Sequence, residues 1–281
     1  MNVQQKLALR IIKTKLNLLS LVNPQKAGEV AFTLFCTPLM KTAERNSEIF
    51  LKGESLQFNL NGKLVKGFRC NHPQKKKVLL VHGFSSTCHN FDAYVEPLVN
   101  KGYEVLAFDA PAHGASEGST LNADDYSDMI RKVMELYGPI KSFLAHSFGG
   151  LAVCLALENQ EHDDHTKVVL IAPATETTSS IDHALLTIGM KNETLKQSLK
   201  DMILSKTGNM PAWFSIRRAL KNIKASILWF HDKDDDVTPV SDAITVQKDN
   251  PVNVKFRFTT NLGHRRIYRD STVISEAVSF L

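Results

Sequence analysis

The chain has 281 residues, of which 43% are hydrophobic and 22% charged, so it is long enough to bury the core of one large domain. Its net charge of +5 comes entirely from residues 1–28, which contain no acid; the cations there are Lys6, Arg10, Lys13, Lys15 and Lys26. The other residues are neutral overall and lack a basic patch interleaved with aromatic residues. These features exclude nucleic acid from the expected partners.

The sequence contains no uninterrupted apolar run of about 18 residues, the length a membrane-spanning helix requires. The basic first segment has no small-residue cleavage site, so we do not predict a signal peptide. The cysteines are scattered and form no C-x-x-C pair, which argues against a disulfide framework or a thiolate zinc site. They are Cys36, Cys70, Cys88 and Cys154. The expected location is the cytoplasm.

Residues 1–50 have the pattern of a helical extension. An amphipathic helix is predicted over residues 3–22, and a second helical stretch continues to about Met40, with Pro24 and Gly28 between them. We interpret this segment as an N-terminal extension packed on the main domain. A helix that lies on a membrane surface is the alternative that remains open.

Residues 51–281 predict a single α/β domain. Asn61-Gly62 between two alternating segments is typical of a β-hairpin. Short apolar runs then alternate with amphipathic segments, as in strands buried on both faces of a parallel sheet. The predicted strands are 55–60, 64–69, 78–81, 104–108, 142–145, 168–171, 226–230 and 254–258, and the predicted helices are 89–101, 122–137, 148–161, 240–249 and 271–281. We therefore expect a mostly parallel, doubly wound sheet.

One interval is far too long for a single crossover between strands. Residues 176–222 have helical periodicity, and the sequence predicts that they form a small helical cap. Trp213 and Phe214 near its end are candidate substrate-binding residues that would contact an apolar acyl or alcohol group. The alternative is that both aromatic rings only hold the cap in place.

The candidate nucleophile is Ser147. It lies in Ala145-His146-Ser147-Phe148-Gly149, between a predicted strand and a predicted helix. A sharp strand-to-helix turn with small residues on both sides exposes a serine hydroxyl, and the helix N-terminus favours a developing oxyanion.

The loop after the first buried strand begins with His82-Gly83-Phe84. Together with the turn at Ser147, it predicts an oxyanion hole formed by the backbone amides of Phe84 and Phe148. The alternative is that Gly83 only makes a turn and His82 is a hydrogen-bonded core histidine.

A general base is expected after the last strand, and His264 follows residues 254–258. His146 adjoins the serine but should point away from it, and His162 and His165 lie in a polar helix end that we do not expect to bind metal. The acid should come from the aspartate-rich segment 231–239, where spacing alone does not choose among four aspartates. An EF-hand is excluded because its glycine and distal glutamate are missing.

The order serine, aspartate, histidine resembles the α/β-hydrolase superfamily over about residues 50–281. Asp109-Ala110-Pro111-Ala112-His113-Gly114-Ala115-Ser116 is similar to that family's D-x-P-G-H-G-x-S loop. Residues 263–267 resemble those of uncharacterised bacterial hydrolases. In the family the catalytic aspartate typically lies four residues before a proline, which implies Asp235 (before Pro239), with Asp234 as the alternative. Ala145 and Ala112 depart from the family's glycines, but neither change removes a reacting group.

The resemblance implies a serine hydrolase that cleaves an ester-type bond in a small molecule with an apolar acyl group. The mechanism would use Ser147, His264 and Asp235, and neither a metal nor an organic cofactor is expected. Thioester hydrolysis, carbon–carbon hydrolysis or acyl transfer on the same residues are alternatives. So is a non-catalytic ligand-binding protein of the same fold. The sequence leaves the oligomeric state open.

Overall fold

The computed structural model describes residues 3–38 and 47–281, and for residues 3–8 it describes the backbone alone. Contacts within the chain divide it into two compact units. The helical unit consists of Met1–Thr37 and Glu176–Ser215, and the sheet unit consists of Pro38–Thr175 and Ile216–Leu281. Among the described residues, no helix is both long enough and apolar enough to cross a bilayer.

The described residues form one sheet of eight strands in the order β1-β2-β4-β3-β5-β6-β7-β8. The strands are β1 Glu54–Leu60, β2 Lys63–Cys70, β3 Lys76–Val81, β4 Tyr103–Phe108, β5 Ser142–His146, β6 Lys167–Ile171, β7 Ser226–Asp232 and β8 Val254–Thr259. Strand β2 runs antiparallel to its neighbours β1 and β4, and every other pairing is parallel. The predicted α/β-hydrolase fold with a mostly parallel sheet is confirmed.

Helices in the described residues include those that connect the parallel strands. In chain order they are α1 Val3–Val22, α2 Pro24–Cys36, α3 Glu48–Leu51, α4 Asp92–Asn100, α5 Ala123–Tyr137, α6 Phe148–Leu157, α7 Thr177–Thr187, α8 Glu193–Thr207, α9 Ile216–Ala219, α10 Val240–Lys248, α11 Gly263–Arg266 and α12 Ser271–Phe280. Short 3₁₀ turns lie at Cys88–Phe91, Pro211–Trp213, Leu220–Asn222 and Ile267–Arg269.

The centre of the sheet is apolar on both faces, as parallel strands covered by helices require. Every residue of β4 and β5 is buried, and so are Val78–Val81 of β3 and Val168–Ile171 of β6. The predicted hairpin turn is confirmed by the left-handed backbone of Asn61 and Gly62, which have φ values of 50° and 80°. A layer of this kind places the carboxyl ends of β3, β5, β7 and β8 along one edge of the sheet.

Two predicted features differ from the structure. Strand β8 lies at the sheet edge and has no fully buried residue, although the apolar run 254–258 predicts a strand buried on both faces. Helix α6 ends at Leu157 rather than at 161, because the polar residues that follow form a turn instead of another helical turn.

In the helical unit, α2 packs closely against α8. A side chain at Gly28 would place its Cβ 2.4 Å from the Ser198 carbonyl oxygen, so the two backbones touch where only glycine fits. Asn192 caps α8 by accepting the N–H of Leu195, and its amide donates to Ser20 of α1. These contacts join α1 and α2 to the inserted segment.

The chain grouping differs from the expected division into residues 1–50 and 51–281. Contacts place the first two helices with the segment 176–215, and residues 216–222 of the predicted insertion belong to the sheet unit. The insertion contains the helices α7 and α8. Helix α2 ends at Cys36, and its expected end near Met40 lies outside the described residues.

Candidate functional site

Ser147 occupies a strained turn between β5 and α6. Its φ of 55° and ψ of −124° are conformations that a residue with a side chain rarely adopts. The turn is held by the Ser147 N–H, which donates to Ile171 at 3.0 Å, and by its carbonyl, which accepts the N–H of Ala174 at 3.0 Å. This backbone directs the hydroxyl away from the sheet.

Glycine is required two residues after the serine. A Cβ at Gly149 would lie 2.6 Å from the carbonyl oxygens of both Val81 and His82. The first turn of α6 therefore lies directly against the end of β3. By contrast, the buried Ala145 of β5 accommodates its methyl group at the position where the family pattern has glycine.

His264 follows β8 at the start of α11, and its ring is buried. Its Nε2 lies 3.0 Å from Ser147 Oγ, and its Nδ1 lies 2.9 Å from Asp235 Oδ2. If Nδ1 carries the proton and donates it to the carboxylate, Nε2 is left as the acceptor for the serine hydroxyl. The sequence-predicted serine, histidine and aspartate are thus brought together.

Asp235 is held as an anion by several donors. The amides of Val237 and Thr238 both donate to its Oδ1 at 2.8 Å. Burial by itself raises the pKa of this carboxyl, but the hydrogen bond and charge of His264, with those two amides, outweigh it and lower the pKa below its ordinary value. The side chain is therefore ionised at neutral pH.

The neighbouring aspartates have other partners. Asp234 Oδ2 accepts the N–H of Asn261 at 2.7 Å. Asp232 Oδ2 accepts the Thr259 hydroxyl at 2.6 Å and the N–H of Leu262 at 3.1 Å. Through these hydrogen bonds, both carboxylates link the end of β7 to the segment that precedes His264.

Thr238 is a site residue that the sequence analysis missed. Its hydroxyl donates to Asp235 Oδ2 at 2.9 Å, and its oxygen lies 3.2 Å from His264 Nδ1. Its backbone carbonyl also accepts a hydrogen bond of 2.9 Å from His231 Nε2. The only sequence signal for it is its position in the aspartate-rich loop directly before Pro239.

His146 adjoins Ser147 in the chain but, as the sequence predicts, its side chain bonds elsewhere. Its Nε2 donates to the backbone carbonyl of His264 at 3.0 Å, and the two rings have centroids 4.7 Å apart. Burial and the adjacent His264 lower the pKa of His146 to about 3, so its ring is neutral. It supports His264 from behind, and no hydrogen bond joins it to the Ser147 hydroxyl within the described chain.

The loop after β3 meets the serine turn. A Cβ at Gly83 would lie 2.9 Å from the Ser147 Cβ. The Phe84 and Phe148 rings pack edge to face with centroids 5.8 Å apart. Within residues 47–281 neither of their amides donates to a backbone carbonyl outside its own helix or strand. The predicted role of these two amides as oxyanion donors stays a prediction.

His82 fixes this loop rather than facing the hydroxyl. Its Nδ1 donates to the Gly83 carbonyl at 2.8 Å, and its Nε2 accepts the N–H of Ala110 at 2.9 Å. Burial lowers its pKa, which keeps the ring neutral and both hydrogen bonds intact. The loop after β4 is thereby tied to the loop that carries Phe84.

The other candidate residues lie elsewhere in the chain. Trp213 and Phe214 belong to the helical unit, where their rings meet edge to face with centroids 5.1 Å apart. His162 accepts the N–H of Lys224 at 2.9 Å, and His165 is exposed near Asp164. Across the described ranges no group of three His, Cys, Asp or Glu side chains is placed to hold a metal ion.

A hydroxyl, an imidazole and a buried carboxylate in this order can move a proton from the hydroxyl oxygen to Nε2. The arrangement can therefore make the serine oxygen a nucleophile at neutral pH. Backbone amides beside such a serine are the kind of donor that stabilises the negative charge formed on an attacked carbonyl oxygen.

A family model described as serine aminopeptidase, S33, matches residues 72–215, just over half of the chain. The matched region contains Ser147, Phe84 and Phe148, and it ends before Asp235 and His264. The uncharacterised hydrolase YugF of Bacillus subtilis is 27% identical over 119 residues. That match covers 41% of this chain and 43% of YugF, so it spans less than half of either protein.

Solved structures have the same fold at low sequence identity. The esterase Pf2001 of Pyrococcus furiosus superimposes with a TM-score of 0.65 and 18% identity, over 88% of this chain and 97% of its own. Est1E of Butyrivibrio proteoclasticus, solved with ferulic acid, gives 0.61 and 16%, over 80% and 97%. The thioesterase domain from the curacin biosynthetic pathway gives 0.57 and 16%, over 81% and 98%.

Proposed function

The chain belongs to the serine aminopeptidase S33 family and is an α/β-hydrolase enzyme, and from that premise we propose that it cleaves an ester-type acyl bond with Ser147, His264 and Asp235. The observation that carries this proposal is the position of His264. Its two ring nitrogens lie 3.0 Å from the Ser147 hydroxyl oxygen and 2.9 Å from the Asp235 carboxylate.

The first half of the reaction forms an acyl-enzyme. His264 takes the hydroxyl proton while Ser147 Oγ attacks the acyl carbonyl, and Asp235 stabilises the imidazolium. The amides of Phe84 and Phe148 donate to the tetrahedral oxyanion, an interaction worth about 3 kcal/mol for each donor in comparable sites. The leaving alcohol then takes the proton from His264.

The second half releases the acid. Water enters where the alcohol left, and His264 removes its proton as the water oxygen attacks the acyl carbonyl. The second tetrahedral intermediate then breaks its bond to Ser147 Oγ, which takes the proton back from His264 as the acid leaves. All groups needed for both halves belong to the chain itself. The proposed substrate is a small molecule with an apolar acyl group.

The same nucleophile could serve related reactions, and the named relatives include a thioesterase as well as esterases. The family is described as serine aminopeptidase, so an amide substrate also belongs in the comparison. Turnover should therefore be compared among p-nitrophenyl esters of increasing acyl length, an acyl thioester and an aminoacyl p-nitroanilide. We expect the esters to give the highest kcat/KM. A higher value for the anilide would contradict the ester assignment while keeping Ser147 as nucleophile.

The first prediction tests the nucleophile. Ser147→Ala should abolish covalent labelling by a fluorophosphonate and lower ester turnover by about 10⁴-fold or more, because only an activated serine reacts. The exposed serine variant Ser279→Ala is the matched control and should label as the wild type does. Wild-type protein that does not label would instead indicate a non-catalytic ligand-binding protein. Turnover that persists in pure Ser147→Ala protein would contradict the mechanism.

A further inference from the structure

Helix α1 carries large apolar side chains that are exposed in the described part of the chain. Ile11 is 60% exposed, Leu18 59%, Leu21 81% and Val22 79%. A surface helix of a globular protein normally turns polar residues to the solvent. Four exposed aliphatic residues within twelve positions of one helix therefore indicate a surface that something else covers.

These residues share one side of the helix. Each residue advances the helix by about 100°, which places Ile11, Leu18 and Val22 within about 40° of one another and Leu21 about 60° to one side. The opposite side carries Leu16, which is 2% exposed. Helix α1 is thus apolar on both sides: one packs within the helical unit, and the other remains exposed.

Cations border the exposed apolar side. By the same geometry, Arg10 lies about 80° from Leu18 on the Leu21 side, and Lys15 lies about 60° from Leu18 on the other side. Both are exposed. Lys26 at the start of α2 is exposed too, but its Nζ pairs with Glu29, so Arg10 and Lys15 are the cations that the argument uses. Residues 1–28 contain no acid and hold the whole net charge of +5.

We propose that the helical unit binds an anionic lipid surface through α1. Ile11, Leu18, Leu21 and Val22 enter the boundary between headgroups and acyl chains, and the flanking cations reach lipid phosphates. The positive charges beside the exposed apolar residues favour an anionic lipid surface over a second copy of the chain as the partner. Paired α1 helices would bring Arg10 and Lys15 against like charges, whereas a negatively charged bilayer attracts them.

The test uses the full-length chain and sedimentation with vesicles. Vesicles of phosphatidylcholine with phosphatidylglycerol should bind the protein, while vesicles of phosphatidylcholine alone should bind it much less. Binding should weaken as salt is raised, because salt screens the attraction between exposed cations and the bilayer. Equal binding to both vesicle types, or no binding to either, would overturn the proposal.

Variants on α1 separate the two contributions. Lys15→Glu should weaken partitioning at least about fivefold, the factor that one cation near an anionic surface contributes. The double variant Leu18→Gln with Leu21→Gln should weaken it about tenfold or more by removing inserted apolar surface. The matched controls are Lys255→Glu and Val252→Gln, at exposed positions of the sheet unit. Controls that lose binding as strongly as the α1 variants would also overturn the proposal.

Two further measurements distinguish lipid binding from hydrolysis and from dimer formation. Fluorophosphonate labelling of Ser147 and the unfolding temperature should be unchanged in the α1 variants, so failure of lipid binding and failure of the proposed hydrolysis are distinguishable. The mass of the free protein is measured over a range of concentrations. A dimer that the α1 variants abolish, without vesicle binding, would mean that the surface pairs copies of this chain and would overturn the proposal.

Discussion

Asp234 and Asp235 are adjacent in the chain, but their carboxylates bind different partners. Asp235 contacts His264 Nδ1, whereas Asp234 accepts the N–H of Asn261. Asn in place of a triad aspartate stabilises the wrong imidazole tautomer, which lowers kcat about 10⁴-fold in a serine protease. We therefore expect Asp235→Asn to lower ester turnover by about 10³–10⁴-fold.

Asp234→Asn is the matched comparison at the residue scale. Asparagine keeps an oxygen that can accept the Asn261 N–H, so turnover should fall by less than about tenfold. Measured kcat values for one p-nitrophenyl ester, with unfolding temperatures for both variants, decide the order. If Asp234→Asn were the more damaging change at equal stability, Asp235 would not be the acid.

The two alanines that replace family glycines should respond in opposite ways to reversion. Ala145 is buried in β5, so Ala145→Gly removes a packed methyl group, makes the strand more flexible and should destabilise by about 1–2 kcal/mol. Ala112 has a φ of 68°, a left-handed conformation that costs a residue with a Cβ about 1–2 kcal/mol.

Ala112→Gly removes that strain but gains freedom in the unfolded chain, so it should stabilise by about 0.5 kcal/mol. Urea unfolding of both variants measures the difference. A destabilising Ala112→Gly would show that the methyl group contributes packing that exceeds the backbone strain.

Some site residues could be predicted from the sequence because their position in the chain carries information. Ser147 lies in a local motif between strand and helix, and His264 follows the last strand. Asp235 needed the resemblance, since nothing in the spacing of the aspartates chooses among them. Neither Thr238 nor the bond from His146 to the His264 carbonyl could be predicted, because both depend on how loops after different strands meet in space.

At the scale of elements, strands buried on both faces were the most predictable. Their apolar runs have one explanation, and β3, β4, β5 and β6 lie where the sequence predicts them. Strand β8 shows the limit of that argument, because an apolar run also suits an edge strand with one half-buried face. Burial therefore could not be assigned from composition alone at the sheet edge.

For the two neighbouring aromatic residues of the inserted segment, Trp213 and Phe214, we predict different effects of substitution. Phe214 is 2% exposed, whereas Trp213 is only partly buried. Phe214→Ala should therefore lower the free energy of unfolding by about 3–5 kcal/mol. We expect Trp213→Ala to destabilise less and to change the preference for acyl-chain length more than the reactivity with a small fluorophosphonate.

The readouts are the unfolding temperature and kcat/KM across the ester series. A Trp213→Ala protein with large loss of stability and an unchanged acyl profile would assign that ring to packing. The same comparison would then remove Trp213 from the proposed substrate-binding residues.

At the scale of the whole molecule, nothing in the sequence indicates that residues 1–37 group with residues 176–215. Periodicity reveals which side of a helix is apolar but not which distant helix covers it. The close approach of Gly28 to Ser198 is a contact between segments far apart in the chain. Only the folded structure supplies that pairing.

Because contacts group the chain into two units, we predict that the helical unit can lose stability while the sheet unit keeps its own. Gly28→Val would force α2 away from α8, because even the first side-chain carbon would lie 2.4 Å from the Ser198 carbonyl oxygen. We expect a loss of about 1–3 kcal/mol, as for other overpacked contacts. In hydrogen exchange, faster exchange should be confined to residues 1–37 and 176–215, with the amides of β3–β6 and fluorophosphonate labelling of Ser147 unchanged.

Lys26→Ala, at an exposed position of the same helix, is the control and should leave exchange as in the wild type. Faster exchange spread evenly through the sheet would mean that both units unfold as one, and the division would not describe the protein's energetics.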